Sequence, residues 1–316
     1  MKSLTLDEQP CKLETRHDLE VICMRISELL KERLTLSFEV FPPKEDKPLE
    51  PLLNTLEHLY QFSPDFISCT YGAGGSNAGR NTEICENIKH SGKTTPITHF
   101  TCINSSKKEI NEMLNAYLDM GIDHILALRG DIPKGYDGTN GEFTYANELI
   151  RFIKERHPQF CVAMSGVPEK HIESPTFEED ITHLRIKQDC GGEYIMTQLC
   201  HDVEQYERWV EKIRKAGIYV PIVAGVMPVL TKDAVIRMAV MNGCSIPRDL
   251  SEIIGRYGEN PEDFKKAGKE YTVKQIHKYI NAGINGLHIY SLNKHQDVED
   301  ILGMASITHE GKKELK

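Results

Sequence analysis

The sequence has no long hydrophobic run. Its longest nearly apolar stretch, residues 219–230, contains 12 residues and two prolines, which is too short to cross the hydrocarbon core of a bilayer. The first 20 residues carry Asp7, Glu8 and Glu14 and have no apolar core segment of the kind found in a secretory signal. We therefore expect no membrane association and a cytoplasmic location.

The sequence also has no excess of basic residues. It contains 38 Lys and Arg against 47 Asp and Glu, and 38 − 47 gives a net charge of −9. Nucleic-acid binding needs a concentrated basic face, so the composition argues against nucleic acid as the main partner. A small anionic ligand held by a few local donors remains compatible with this charge.

No pair of cysteines stands at C-x-x-C spacing, although the sequence has nine cysteines. An odd number of scattered cysteines, without a signal peptide, indicates reduced thiols rather than a disulfide framework. Residues His99, Cys102, Cys200 and His201 carry metal-binding atoms, but no tight ligand pair stands at usable spacing. We expect no metal at this site.

What the sequence does contain is a regular alternation of short apolar runs and amphipathic helical patterns. Eight strands, each followed by a helical segment, predict an α/β fold of the (β/α)8 TIM-barrel type rather than an open doubly wound sheet. The predicted strands are 35–41, 65–71, 96–102, 123–129, 160–165, 194–199, 220–226 and 286–291. The predicted organisation is an N-terminal extension over 1–33, a catalytic barrel over 34–304 and a polar tail over 305–316.

Three segments depart from the simple alternation. Residues 17–33 predict an extra N-terminal helix whose apolar stripe covers the bottom of the barrel. The connection of about 59 residues between strands seven and eight is too long for one helix and predicts two or three, including one over 272–282. Residues 130–141 are rich in Gly, Pro and Asp and predict a mobile loop over the barrel mouth.

Strand one places a carboxyl group near the top of the barrel, where the active sites of such folds lie. With a period of two, Leu36, Phe38 and Val40 face the helices, and Ser37 and Glu39 point into the lumen. Apolar surroundings disfavour the charged carboxylate, so we expect the pKa of Glu39 to be raised, which suits a general acid. The alternative is a lumen carboxylate paired with an arginine for structural reasons.

Polar residues also follow three other strands. Arg129 and Asp131 flank Gly130, which permits close approach of a ligand; the alternative is an ion pair that closes the loop. His99 lies on strand three and, taken alone, is also compatible with a buried, hydrogen-bonded histidine. Gln198 ends strand six and can both donate and accept hydrogen bonds, as a heterocycle with mixed edges requires.

Together these strand ends form a specific pattern, which runs in order from about residue 34 to residue 294. Its segments are SFEVFPP at 37–43, TYGA at 70–73, HFTC at 99–102, LRGD at 128–131, TQ at 197–198 and HIYSLN at 288–293. The pattern resembles methylenetetrahydrofolate reductase, a family of (β/α)8 barrels that bind FAD.

The resemblance implies an oxidoreductase. A nicotinamide donor, NADH or NADPH, passes a hydride to FAD, and the reduced flavin passes it to 5,10-methylenetetrahydrofolate, giving 5-methyltetrahydrofolate. Glu39 matches the family's acid, which protonates the bridging amine so that the ring opens to an electrophilic iminium. Asp131 matches a carboxylate near flavin and pterin that tunes flavin reactivity and helps to bind folate.

The resemblance also implies binding residues. Gln198 matches a pterin contact, and Lys294 stands where a cation meets a folate glutamate carboxylate. Arg129 and Lys187 supply the cations that a pyrophosphate requires. The residues that match positions lining the FAD site are Thr70, Tyr71, Ala73, His99, Arg129, Gly130, Asp131, Tyr145, Ala146, His171, Asp180 and Lys187.

Some positions depart from the family pattern, and they bear on FAD affinity and donor preference. They are Val167, Cys200, His201, His183 and Ile186. We expect a homo-oligomer, and some relatives act only with a small cysteine-rich partner subunit. Two alternatives stay open: a pterin-binding methyltransferase or carrier barrel without flavin, and a reductase subunit that needs a partner for its electrons.

Overall fold

Eight parallel strands form a closed barrel in chain order, and the last strand pairs with the first. The computed structural model describes residues 24–71, 78–132, 135 and 138–307. All eight predicted strands are confirmed, with bounds within two residues of those observed. The strands are β1 Thr35–Val40, β2 Phe66–Cys69, β3 Thr95–Thr101, β4 His124–Leu128, β5 Cys161–Gly166, β6 Tyr194–Thr197, β7 Ile222–Val226 and β8 Gly286–Tyr290.

Eleven helices accompany these strands in the described part of the chain. They are α1 Ile26–Glu32, α2 Glu50–Tyr60, α3 Ala78–Ser91, α4 Lys107–Asp119, α5 Ala146–Arg156, α6 Phe177–Asp189, α7 Val203–Lys215, α8 Lys232–Asn242, α9 Arg248–Tyr257, α10 Pro261–Asn281 and α11 His295–Met304. Three of them, α8 to α10, fill the connection between β7 and β8, as the length of that segment predicts. The helix expected over 272–282 is the second half of α10, which begins earlier, at Pro261, behind the N-cap Asn260.

The extra N-terminal helix covers the bottom of the barrel. Ile26 and Leu30 of α1 are buried in one cluster with residues from the first half of several strands, among them Phe66 and Tyr194. The backbone N–H of Ile26 also donates to Nε2 of His124, at the start of β4, at 3.3 Å. The prediction of a bottom-covering helix is confirmed for α1, whereas residues 1–23, including the rest of the predicted stripe, lie outside the described residues.

The main core lies between the strands and the surrounding helices. Leu36, Phe38 and Val40 alternate along β1 and pack outward in the same cluster as Leu52 and Leu56 of α2. Fully burying one such side chain contributes roughly 1.5–3 kcal/mol to folding. The strict alternation therefore holds the polar residues of β1 in the lumen, as predicted.

Two predicted segments are only partly covered. Within residues 130–141, positions 133, 134, 136 and 137 lie outside the described residues, as do residues 308–316 of the tail predicted over 305–316. The described start of that tail does not fit the prediction, because Ala305 and Ile307 are apolar and buried in the main core. Of the described loop residues, Thr139 accepts a hydrogen bond from the backbone N–H of Asn104 at 2.8 Å. Among the helices that the structure describes, none is both long and apolar enough to cross a membrane.

Candidate active site

Glu39 lies at the C-terminal end of β1 with its carboxyl group in the lumen. Its side chain is 22% exposed, and burial raises its pKa to about 8. No lysine or arginine nitrogen of the described residues lies within 4.0 Å of its carboxylate. The environment therefore favours a protonated acid over a structural ion pair with arginine.

His99, on the inner face of β3, lies beside Glu39. Its Nε2 atom lies 3.6 Å from Oε2 of Glu39, which is too long for a hydrogen bond. Burial lowers the pKa of His99 to about 4, and Nε2 has no hydrogen-bond partner among the described residues. A buried nitrogen without a partner costs free energy, so this atom is suited to meet a ligand.

A second layer of polar side chains lies beneath this pair. His288 of β8 bonds through Nδ1 to the Ser37 hydroxyl at 2.8 Å and through Nε2 to the Ser68 hydroxyl at 3.3 Å. Burial lowers the pKa of His288 to about 3, so the ring is neutral at neutral pH. This layer holds the floor of the site rigid and uncharged.

Tyr290 reaches from β8 past the neighbouring β7 to the end of β6, a contact that the sequence analysis missed. Its hydroxyl donates to the Thr197 carbonyl at 2.8 Å. A Cβ atom on Gly225 would lie 2.3 Å from that hydroxyl, so the side chain can pass only because β7 has glycine there. The period-two spacing of His288 and Tyr290 on β8 is the signal that could have indicated two lumen-facing residues.

Arg129 follows β4, and its guanidinium pairs with Glu173. Nη1 and Nη2 donate to the two Glu173 oxygens at 2.5 and 2.9 Å, and Nε donates to the Gly130 carbonyl at 3.1 Å. The Arg129 guanidinium lowers the pKa of Glu173. The ion pair of Arg129 therefore joins it to Glu173. It does not pair with Asp131, the exposed acid two residues further on that the sequence left open as its partner.

Glycine is required at position 130, between Arg129 and Asp131. It has a φ of +93°, and a Cβ there would lie 2.7 Å from the Ile103 side chain. Both the left-handed backbone and the close approach exclude larger residues. The glycine thus turns the chain sharply at the barrel mouth.

A chain of hydrogen bonds continues from Glu173 to helix α6. The backbone N–H of Glu173 donates to Nδ1 of His171 at 3.2 Å, and that of His171 donates to Oδ1 of Asp180 at 3.3 Å. Lys187, two turns along α6 from Asp180, donates to the Ser165 carbonyl at 2.7 Å, and its pKa is lowered to about 8 by burial. The structure thus brings His171, Asp180 and Lys187 together near Arg129.

The other predicted site residues are more dispersed. The Tyr71 hydroxyl donates to Met113 of α4 at 3.8 Å, so this side chain packs outward from the lumen. Tyr145 is 57% exposed at the start of α5. Gln198 accepts from the Leu199 N–H at 2.7 Å. The remaining placements are Thr70 directly after β2, Ala146 as the first residue of α5, Lys294 as the N-cap of α11, and Ala73 outside the described residues.

Two of the departures from the family pattern face away from the lumen. The carbonyl of Cys200 accepts from the Tyr279 hydroxyl at 2.7 Å, and that of His201 accepts from the Tyr271 hydroxyl at 3.2 Å. Both tyrosines belong to α10, so these two residues lie at the contact between the barrel and its longest helix.

Comparisons with known proteins show the family of this chain. The sequence model of the family "Methylenetetrahydrofolate reductase" matches residues 25–306. "Methylenetetrahydrofolate reductase 1" of Schizosaccharomyces pombe is 35% identical over 88% of this chain, but the match covers only 48% of that relative. The chain thus spans about half the length of the eukaryotic relatives it matches. "5,10-methylenetetrahydrofolate reductase" of Pectobacterium carotovorum is 31% identical over 84% of this chain and 88% of its own length.

Solved structures share the fold. A Clostridium thermocellum protein that binds two copies of 5-methyl-5,6,7,8-tetrahydrofolic acid superposes with a TM-score of 0.61 at 15% identity, over 91% of this chain and 99% of that chain. This likeness supports the barrel architecture alone. The match of the family model over most of the sequence is what shows that the chain belongs to the methylenetetrahydrofolate reductase family.

Proposed function

We propose that the protein is a cytoplasmic, flavin-dependent reductase that converts 5,10-methylenetetrahydrofolate to 5-methyltetrahydrofolate. The observation that carries this proposal is the position of the Glu39 carboxyl at the top of the barrel, 3.6 Å from the unpartnered Nε2 of His99, where burial raises its pKa to about 8. An acid that keeps its proton at neutral pH is what ring opening of the folate requires.

The residues around the barrel mouth fit FAD. Arg129 and Lys187 supply two cations for a pyrophosphate, and the buried Nε2 of His99 lacks a partner that a ligand would provide. Bound FAD supplies the hydride chemistry between the nicotinamide and the one-carbon unit. We propose Asp131, Gly130, Thr70, Tyr71, Ala73, Tyr145, Ala146, His171 and Asp180 as the other contacts of this cofactor.

The protein's own part in the chemistry is a proton transfer. Glu39 donates its proton to the amine that bridges to the methylene group, the carbon–nitrogen bond at that amine breaks, and the methylene carbon becomes an electrophilic iminium. Hydride addition to that carbon then gives the methyl group. With 22% of its side chain exposed at the mouth, Glu39 can take up a new proton from solvent. Gln198 and Lys294 bind the pterin edge and a glutamate carboxylate of the folate.

Anaerobic stopped-flow spectroscopy of the flavin tests the proposal. We expect a yellow protein whose flavin absorption is bleached by NADH or NADPH and by 5-methyltetrahydrofolate, and is restored by 5,10-methylenetetrahydrofolate. A colourless protein that does not take up added FAD would support the methyltransferase or carrier barrel. Flavin that is reduced by 5-methyltetrahydrofolate but by neither nicotinamide would indicate a subunit that takes its electrons from a partner protein. Light scattering of the same preparation tests the expected homo-oligomer.

A further inference from the structure

Three potential metal ligands meet on the outer helical layer, away from the barrel mouth. His58 lies in the last turn of α2, and His295 and Glu299 lie one turn apart at the start of α11. The Nδ1 atoms of His58 and His295 lie 2.7 and 3.3 Å from the same oxygen, Oε1 of Glu299. The ligand atoms of all three residues lie within 4.8 Å of one another.

The two imidazole rings are stacked, so the nitrogen lone pairs, which lie in the ring planes, run nearly parallel and do not yet converge on one point. Their centroids are 3.8 Å apart and their planes differ by 19°. The side chains of His58, His295 and Glu299 are 36%, 17% and 32% exposed, so an ion can reach the cluster from solvent. The site is therefore accessible to an ion, and one of the two exposed rings must rotate before both nitrogens can bind it.

We propose that His58, His295 and Glu299 bind one divalent transition-metal ion, with Zn²⁺ as the best match. Two imidazole nitrogens and one carboxylate oxygen form a ligand set that suits Zn²⁺, Co²⁺ or Ni²⁺ rather than Ca²⁺ or Mg²⁺. Ligand atoms of a tetrahedral zinc site lie about 3.3 Å apart, given metal–ligand bonds of about 2.0–2.1 Å. The His295–Glu299 separation of 3.3 Å already has this value, and the His58–Glu299 separation of 2.7 Å is 0.6 Å shorter. Binding therefore requires a small widening of the second separation and a rotation of one imidazole ring. Water completes the coordination.

The position of the cluster gives such an ion a structural effect. Helix α2 follows β1, and α11 follows β8, and these two strands pair where the barrel closes. The ion would thus join the first and last helices of the barrel across its closing seam. The spacing of His295 and Glu299 is visible in the sequence, but the contribution of His58 is visible only in the fold.

Titration of the chelator-treated protein with Zn²⁺ and Co²⁺ tests the site. For the wild type we expect one equivalent of Zn²⁺ by calorimetry, visible Co²⁺ absorption bands typical of nitrogen and oxygen ligands, and a higher Tm with Zn²⁺. The variants His58→Gln and Glu299→Gln should each bind at least tenfold more weakly and lose the Zn²⁺-induced rise in Tm. The rise is measured within each variant, so a lower basal stability does not affect the comparison.

The control variant is His90→Gln, since His90 is an exposed histidine of α3 outside the cluster. It should bind Zn²⁺ as the wild type does. Equal Zn²⁺ affinity in the wild type, His58→Gln and Glu299→Gln would overturn the proposal. So would Co²⁺ bands typical of thiolate ligands, because they would place the ion at cysteines instead.

Discussion

The Nε2 atom of His99 lies 3.6 Å from Oε2 of Glu39, and burial moves the pKa values of the two groups in opposite directions, to about 4 and about 8. Between these values both groups are uncharged, so the contact is not an ion pair at neutral pH. The acid keeps its proton, and the imidazole stays available to a ligand. The predictions for Glu39 depend on this arrangement.

Replacement of Glu39 by glutamine should separate the two halves of the proposed reaction. The amide keeps the shape of the protonated acid but has no proton to give. We expect reduction of the flavin by NADH or NADPH to stay within about threefold of wild type, while turnover with 5,10-methylenetetrahydrofolate falls by at least about 100-fold. Stopped-flow measurement of each half-reaction checks this.

Glu32→Gln is the matched control for this substitution, because Glu32 is an exposed residue of α1. Both half-reactions of this variant should equal those of wild type. Folate turnover of Glu39→Gln within a few-fold of wild type would show that another group supplies the proton.

The raised pKa of Glu39 should also appear in the pH dependence of stability. Its folded pKa of about 8 lies above the ordinary value of 4.5 that holds in the unfolded chain. The stabilisation by the bound proton is therefore complete below pH 4.5 and is lost as the pH rises to 8. Glu39→Gln lacks this titration, so the free energy of unfolding of wild type should fall relative to the variant by roughly 1 kcal/mol per pH unit.

Urea unfolding of both proteins at pH 5, 6, 7, 8 and 9 gives this difference directly. His99 and His288 titrate in both proteins, so their contributions cancel. We expect the difference to change steadily from pH 5 to 8 and to level off above pH 8. A difference that stays constant from pH 5 to 9 would mean that Glu39 titrates alike in the folded and unfolded states.

The Arg129–Glu173 ion pair should compete with an anionic ligand for the guanidinium. Glu173 occupies both Nη atoms of Arg129, although its own side chain is 51% exposed. If Arg129 binds the pyrophosphate of FAD, Glu173→Gln should bind ADP about fivefold more tightly, consistent with the ~1 kcal/mol that exposed pairs contribute. Arg129→Gln should bind ADP at least tenfold more weakly.

Calorimetry with ADP compares these variants with Glu178→Gln, a control in the first turn of α6 whose side chain is exposed. The control should bind as wild type does. Weaker ADP binding by Glu173→Gln would instead show that the carboxylate helps to form the site.

How far the sequence could predict the site depends on whether each position lies on a regular element. Glu39 could be placed in the lumen because β1 alternates strictly between outward apolar and inward polar side chains. The partner of Arg129 could not be found this way. Glu173 comes from the connection between β5 and α6, where no periodicity indicates direction.

Side-chain contacts between neighbouring strands could not be predicted from the sequence either. The eight strands were predictable from local patterns, but the passage of Tyr290 beside Gly225 requires the register of neighbouring strands. Register is set by the closing of the barrel and has no local sequence signal. The motif at 288–293 therefore indicated that the residues matter without indicating what they contact.

A last prediction concerns Gly166, the final residue of β5, which packs against the protein's single tryptophan, Trp209 of α7. A Cβ on Gly166 would lie 2.7 Å from the Ile195 side chain and 3.0 Å from the Trp209 ring. Because Trp209 is only 1% exposed, it has no room to move away. We expect Gly166→Ala to lower the free energy of unfolding by about 1–3 kcal/mol and to shift the tryptophan emission.

Gly255→Ala is the control for this substitution, since Gly255 lies within α9 and a Cβ there would have no neighbour within 4 Å. Alanine is the better helix former, so this variant should gain up to about 1 kcal/mol in its free energy of unfolding, with unchanged emission.

The substitution of Gly166 should also affect folate binding, because the carbonyl of Gly166 accepts a hydrogen bond from the Gln198 N–H at 2.8 Å. Displacement of β5 by the alanine should therefore also move Gln198 and raise the KM for the folate. A Gly166→Ala protein with wild-type stability and emission would show that the side chains around Gly166 accommodate the added methyl group without loss of stability.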